Sequence, residues 1–148
     1  MAKRRVTWFV LADGSRARFL TRRTEGPGYE VVGNYQSPEA HLASHEIMGD
    51  RPGRTQESAY SGRHAIEPRQ DAHQARKTSF VQAVAGHINA ASARGAFDDL
   101  VIYAPPRALA EMRASLDEGT RQKIKAELPK DLTRLPLAEL SERFAELG

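Results

Sequence analysis

Hydrophobic and polar positions alternate in recognisable runs at both ends of the chain, and the pattern fails between them. Val6 to Ala12 is an apolar run with β-branched and aromatic members, the signature of a central strand covered on both faces. Asp13-Gly14 predicts a tight turn, and Arg16 to Arg23 a second strand. Glu25-Gly26-Pro27-Gly28 predicts another turn. Tyr29 to Tyr35 reads as a third strand, with Tyr29, Val31, Gly33 and Tyr35 on one face and Glu30, Val32 and Asn34 on the other. From Gln36 to about Asp71 almost no periodicity remains, and residues 37–71 are expected to form a long irregular loop. Asp71 with Gln74 resembles a capping box. Phe80, Val81, Val84 and Ile88 then mark a helix, with Gly95 as its C-cap. Leu100 to Ala104 reads as a strand ended by Pro105-Pro106, followed by a helix burying Leu109, Met112 and Leu116. Asp117 to Gln122 suggests a short helical turn, and Lys123 to Leu128 a fifth strand with Ile124, Ala126 and Leu128 alternating. Pro136 opens a last helix with Leu137, Leu140, Phe144 and Leu147 facing inward.

The order β-β-β-α-β-α-β-α predicts an α/β fold. Its core is a mixed five-stranded sheet of ribonuclease-H-like strand order, with helices packed on it. The length of 148 residues fits one domain, 1–148, without repeats. With no cysteine in the chain, thiol catalysis, disulfides and cysteine-ligated zinc are excluded. No run approaches the ~20 apolar residues of a membrane helix. Met1 to Arg5 imitates the basic start of an export signal, but the apolar run after it stops at Asp13 with no small-residue cleavage site. It reads as a strand, and a cytoplasmic location is the expectation.

The net charge of +3 is unevenly spread. Residues 1–36 hold seven basic and three acidic side chains, residues 37–79 six of each, and residues 80–148 nine basic and ten acidic. The basic excess is therefore N-terminal: Lys3, Arg4, Arg5, Arg16, Arg18, Arg22 and Arg23. Such a cluster suits a phosphate-rich partner, or it serves to charge strand edges against aggregation.

The richest polar cluster lies in the 37–71 stretch: Asp50, Arg51, Arg54, Gly62, Arg63 and His64. Arginine forks bind phosphate oxygens and glycines let a backbone approach closely, so this cluster is a candidate RNA contact. The alternative is a self-satisfied loop, its arginines paired with Asp50, Glu57 and Glu67. His41 and His45, with Glu46 adjacent, have metal-ligand spacing on a helix, but no third ligand has convincing spacing, and no metal or cofactor is expected. Asp13 ends the first strand, and Asp98 and Asp99 precede the fourth, an arrangement to compare with two-metal nucleases. Turn and strand-entry roles explain these residues better. Ser61, His64 and Asp71 lie too close in sequence for a triad. His87 reads as a partly buried helix residue, and Trp8 as core.

Several segments resemble the bacterial host-attachment protein family: Val10 to Phe19, Gly49 to Arg54, Gly62 to Ala65, Glu67 to Arg69, Leu100 to Pro106 and Lys130 to Thr133. They occur in order over nearly the whole chain. That family is similar to the middle domain of archaeal and eukaryotic peptide-chain release factors. The resemblance implies a ribonuclease-H-like sheet and gives the long loop a meaning. In the release-factor domain this position carries a Gly-Gly-Gln tip that reaches the peptidyl-tRNA ester. Here it reads Tyr60-Ser61-Gly62-Arg63-His64, and Gly-Gly-Gln occurs nowhere in the chain. The expected function is a non-catalytic module contacting RNA or the ribosome through residues 37–69, with Arg16 and Arg18 beside it. A peptidyl-tRNA or related ester hydrolase, with His64 as general base, is the first alternative. A protein-interaction or assembly factor in host attachment, including a homo-oligomer, is the second.

Overall fold

The computed structural model describes residues 4–38 and 51–145, with backbone alone for 51–70. Thr7–Ala12 (β1), Arg16–Arg22 (β2) and Tyr29–Gln36 (β3) form the expected meander. The helix Arg51–Ala93 (α1) follows, then Asp99–Tyr103 (β4) and Pro106–Ser115 (α2). Glu118–Arg121 (α3), Ile124–Leu128 (β5) and Leu137–Ala145 (α4) complete the order.

The strands form one mixed sheet in the order β3-β2-β1-β4-β5. β2 runs antiparallel to β1 and β3, whereas β4 runs parallel to β1 and β5. Every residue of β1 is buried, as its apolar run predicts for the middle strand of a covered sheet. Alternation along β1 divides the core in two. Trp8, Val10 and Ala12 meet Val81, Val84, Ala85 and Ile88 of α1, together with Ala108 and Met112 of α2. Phe9 and Leu11 meet Leu132, Leu140 and Phe144 on the other face, where α4 lies. Phe9 and Phe144 stack with ring centroids 4.2 Å apart. The result is a single-domain α/β fold of three layers, consistent with a ribonuclease-H-like arrangement.

Three expectations need correction. The first is α1, which starts at Arg51 and not at Asp71, so residues 51–70 of the expected loop are helical. Hydrophobic periodicity detects the face a helix buries, and 51–70 contains only Ala59, Tyr60, Ala65 and Ile66 as apolar residues. Asp71 therefore lies inside the helix and caps nothing; Gln74 donates to the Thr78 hydroxyl at 3.4 Å. The C-terminal end is as expected, with Gly95 at φ +75° just past the helix.

The second correction is strand register. Phe19 pairs with Gly33 but Leu20 with Val31, so Val32 is an extra residue in β3. A bulge of this kind reverses the alternation beyond it. Tyr29 accordingly packs on Phe9 and Phe144, while Tyr35 packs on Phe19 and His87 across the sheet. β5 behaves the same way. Lys125 is the extra residue, so Ile124 joins the α1 face and Ala126 and Leu128 the α4 face. The third correction concerns single residues. Leu137 is exposed, Leu109 is half-buried, and His87 is exposed, stacked on Tyr35. Leu147 lies outside the described residues.

Candidate functional site

In open α/β sheets the carboxyl ends of the parallel strands are where loops converge and ligands bind. Here β1 delivers Asp13 to that end. The Asp13-Gly14-Ser15-Arg16 sequence folds into an Asx turn because a short carboxylate reaches the amides that follow it. Asp13 Oδ1 accepts from the Ser15 amide at 2.8 Å, the Arg16 amide at 2.7 Å and the Ser15 hydroxyl at 3.3 Å. The Asp13 amide donates to the Arg16 carbonyl at 2.9 Å and closes the hairpin.

The free oxygen of Asp13 reaches across the fold. Thr133 Oγ1 lies 3.2 Å from Asp13 Oδ2 and 2.7 Å from Asp131 Oδ1. The Thr133 amide donates to the same Asp131 oxygen at 3.0 Å. The Thr133 hydroxyl has one proton for two carboxylates, and the shorter distance favours Asp131. Arg18 joins from β2, donating to the Leu135 carbonyl at 2.7 Å and the Thr133 carbonyl at 3.4 Å. Asp13, Arg18, Asp131 and Thr133 thus form a latch that holds the β5–α4 connection across the end of the sheet. Thr133 is only 4% exposed, whereas Asp13 and Arg18 are half-buried and Asp131 is exposed, so the latch is closed at its centre and open to water at Asp131. The latch uses the polar residues of two of the distinctive segments, Val10–Phe19 and Lys130–Thr133. Sequence reasoning placed Arg18 among ligand contacts and overlooked Asp131 and Thr133; the Asp-x-Thr spacing of a second Asx turn was the available signal.

The N-terminal cations do not gather into one patch. Arg4 donates to the Thr24 carbonyl. Arg5 makes a two-pronged pair with Asp99 at 2.8 and 3.0 Å. That bonding holds the Asp99 carboxyl below its ordinary range and raises the Arg5 guanidinium. Arg22 lies 5.5 Å from the Phe9 ring centre and 5.9 Å from that of Tyr29. Arg16 stands on β2 opposite Gln36.

Asp98 and Asp99 lie at the amino end of β4, and Asp13 lies past the carboxyl end of the parallel β1. Thr7 pairs with Asp99, so about six residues of strand, ~20 Å, separate the two acidic sites. They cannot converge on one pair of ions. Asp98 accepts from the Val6 amide at 2.8 Å, a strand-entry role. Among the described residues no group of three or more His, Asp or Glu side chains could hold a metal ion.

The remaining sequence candidates divide in two. Asp50, His41 and His45 lie outside the described residues. Arg51, Arg54, Gly62, Arg63 and His64 lie on the backbone of α1, and their side chains are outside the described set. Ser61, His64 and Asp71 are all on this one helix. His64 and Asp71 are about 10 Å apart along its axis, which separates any triad.

A family model described as "Protein required for attachment to host cells" matches residues 8–144. The chain belongs to this host-attachment family. The match runs from Trp8 in β1 to Phe144 in α4 and takes in the entire latch. Membership makes the chain a host-attachment-related protein. No curated protein matches it. Among the described residues no helix is long and apolar enough to cross a membrane.

Proposed function

We propose that this host-attachment-family protein is a non-catalytic binding module that contacts RNA or the ribosome through residues 37–69. The observation that carries this reading is the division of α1. The helix is 43 residues long, ~65 Å if straight, and among the residues whose side chains are described its core contacts begin at Phe80 and Val81. The preceding stretch has no apolar stripe of its own. Residues 51–70 carry Arg51, Arg54, Arg63 and Arg69 against Glu57 and Glu67, a net positive charge. A polar, arginine-marked helical segment suits charge-assisted contacts to phosphate oxygens. The likeness to the release-factor middle domain belongs to the same proposal, because there this position carries the part that reaches RNA. A cytoplasmic location belongs to it too, since ribosomes and tRNA are there.

Binding of tRNA or ribosomes at ~50 mM salt should be measurable and should weaken steeply with added salt. Changing Arg51, Arg54 and Arg63 together to Ala should weaken binding and flatten the salt slope. No binding by the intact protein would overturn the proposal. Release of the peptidyl-tRNA ester by wild type, lost in His64→Ala, would replace it with the hydrolase reading.

A further inference from the structure

The sheet ends at β3, and among the described residues no strand pairs with its outer side. β3 is eight residues long, ~27 Å, and carries one charged side chain, Glu30. Val31 and Val32 lie side by side on it at 43% and 42% exposure. Short length, rows of charge and bulges are the usual guards of an open edge, whose free amides and carbonyls accept another strand. Here only the bulge is present, and it selects what can fit.

The ends of the β2–β3 ladder set the direction of each main-chain group. The Ser37 amide donates to the Ser15 carbonyl at 2.8 Å, and the Arg23 amide donates to the Gly28 carbonyl at 2.9 Å. Antiparallel strands turn alternate residues to one neighbour. Counting by twos from each end up to the bulge, Gly28, Glu30, Gly33, Tyr35 and Ser37 face β2. Tyr29, Val31, Asn34 and Gln36 therefore turn their amides and carbonyls to the open edge.

We propose that β3 pairs antiparallel with β3 of a second copy of this chain, about a two-fold axis between Val32 and Gly33. Such an interface is self-complementary, each contact occurring twice. Tyr29 then stands opposite the partner's Gln36, and Val31 opposite the partner's Asn34. All four outward residues gain hydrogen-bonding partners. Between these pairs each strand carries the same two residues, Val32 and Gly33, so the bulge meets its own copy. A regular strand such as β2 has one residue there and leaves the extra one unmatched. A second copy thus fits this edge better than an arbitrary extended segment does. The charges agree. Tyr29 and Tyr35 lie on opposite faces, which puts Glu30 on the face of Tyr35. Glu30 then meets the partner's Tyr35, and the two Glu30 carboxylates stand five residues apart along the strands, ~17 Å. The proposal rests on β3 and is independent of RNA binding through residues 37–69.

The test is sedimentation of the nuclease-treated full chain, so that RNA bridging cannot imitate a dimer. The mass should rise from monomer to dimer between ~10 μM and ~1 mM. Amide hydrogen exchange at Tyr29, Val31, Asn34 and Gln36 should slow over the same range. Val31→Lys/Asn34→Lys places like charges opposite one another at two positions and should weaken the dimer at least ~10-fold. Val31→Lys/Asn34→Glu places opposite charges in the same pairs and should restore it. Both side chains are exposed, and an unchanged melting temperature at low concentration confirms folding. A monomer at ~1 mM would overturn the proposal. So would a dimer whose exchange slows away from β3, or an equal effect of the two double variants. Slow exchange of the four amides in the dilute monomer would show that the chain covers its own edge, and would overturn it too.

Discussion

Thr133 shows how much one hydroxyl can hold. It lies between two carboxylates from opposite ends of the chain, buried to 4% exposure. Replacing it with Val keeps the shape and removes the donor, leaving Asp131 Oδ1 with the Thr133 amide alone and the Asp13 carboxylate beside a methyl group. Thr133→Val should therefore lower stability by about 1–3 kcal/mol, read as a reduced urea midpoint at unchanged slope. A change below ~0.5 kcal/mol would mean that the hydroxyl adds nothing net. The sequence shows Asp13 as a turn residue because its partners lie two and three positions away. Its bond to Thr133 spans 120 positions, and no local pattern encodes that.

At the scale of elements, β3 shows a limit of alternation. Its single extra residue, Val32, puts Tyr29 and Tyr35 on opposite faces, where strict alternation would put them together. Gly33 sits at the bulge because the aromatic rings close over it. A Cβ there would lie 3.0 Å from Phe19 Cδ2 and 3.2 Å from Tyr35 Cε2. Gly33→Ala should thus cost about 1–3 kcal/mol through overpacking, measured by thermal or urea unfolding. A stabilised variant would show that the rings yield without cost. The helix α1 makes the complementary point. Its docked half was legible from Val81, Val84 and Ile88, which recur at helical spacing. Its first twenty residues were not, because a stretch with so few apolar residues leaves no periodic trace in the sequence.

For the whole molecule, the Arg5–Asp99 pair ties the entry to β1 to the entry to β4 at one end of the sheet. Asp99 titrates below its ordinary value in the folded state. Its contribution is therefore present at pH values above the unfolded carboxylate pKa, ~3.9. It is lost as the pH falls through the lower, folded value. Arg5 stays protonated throughout this range and adds no pH dependence there. The pair is largely solvent-exposed, so the effect is small and weakened by salt. Melting temperatures of wild type and Asp99→Asn should differ modestly at pH 6–7 and converge below about pH 3. A difference that persists unchanged at low pH would assign the effect to something other than ionisation. The basic N-terminal excess also changes meaning at this scale. Arg4, Arg5, Arg18 and Arg22 engage a carbonyl, a carboxylate, the latch and two aromatic rings. These four take part in the sheet's own contacts.

The sequence by itself determined the five strands and their succession along the chain, the apolar middle strand, the Asp13 turn and the proline start and glycine end of helices. Each of these is decided by neighbours a few positions away, through steric limits, hydrogen bonds within a turn, or the period of a buried face. Only the tertiary structure decided the bulges at Val32 and Lys125, the unbroken course of α1 from Arg51, and the union of Asp13 and Arg18 with Thr133. These depend on which strands and loops become neighbours in space. A bulge is selected by the packing on both faces at once, and a latch exists only when the sheet has closed around it.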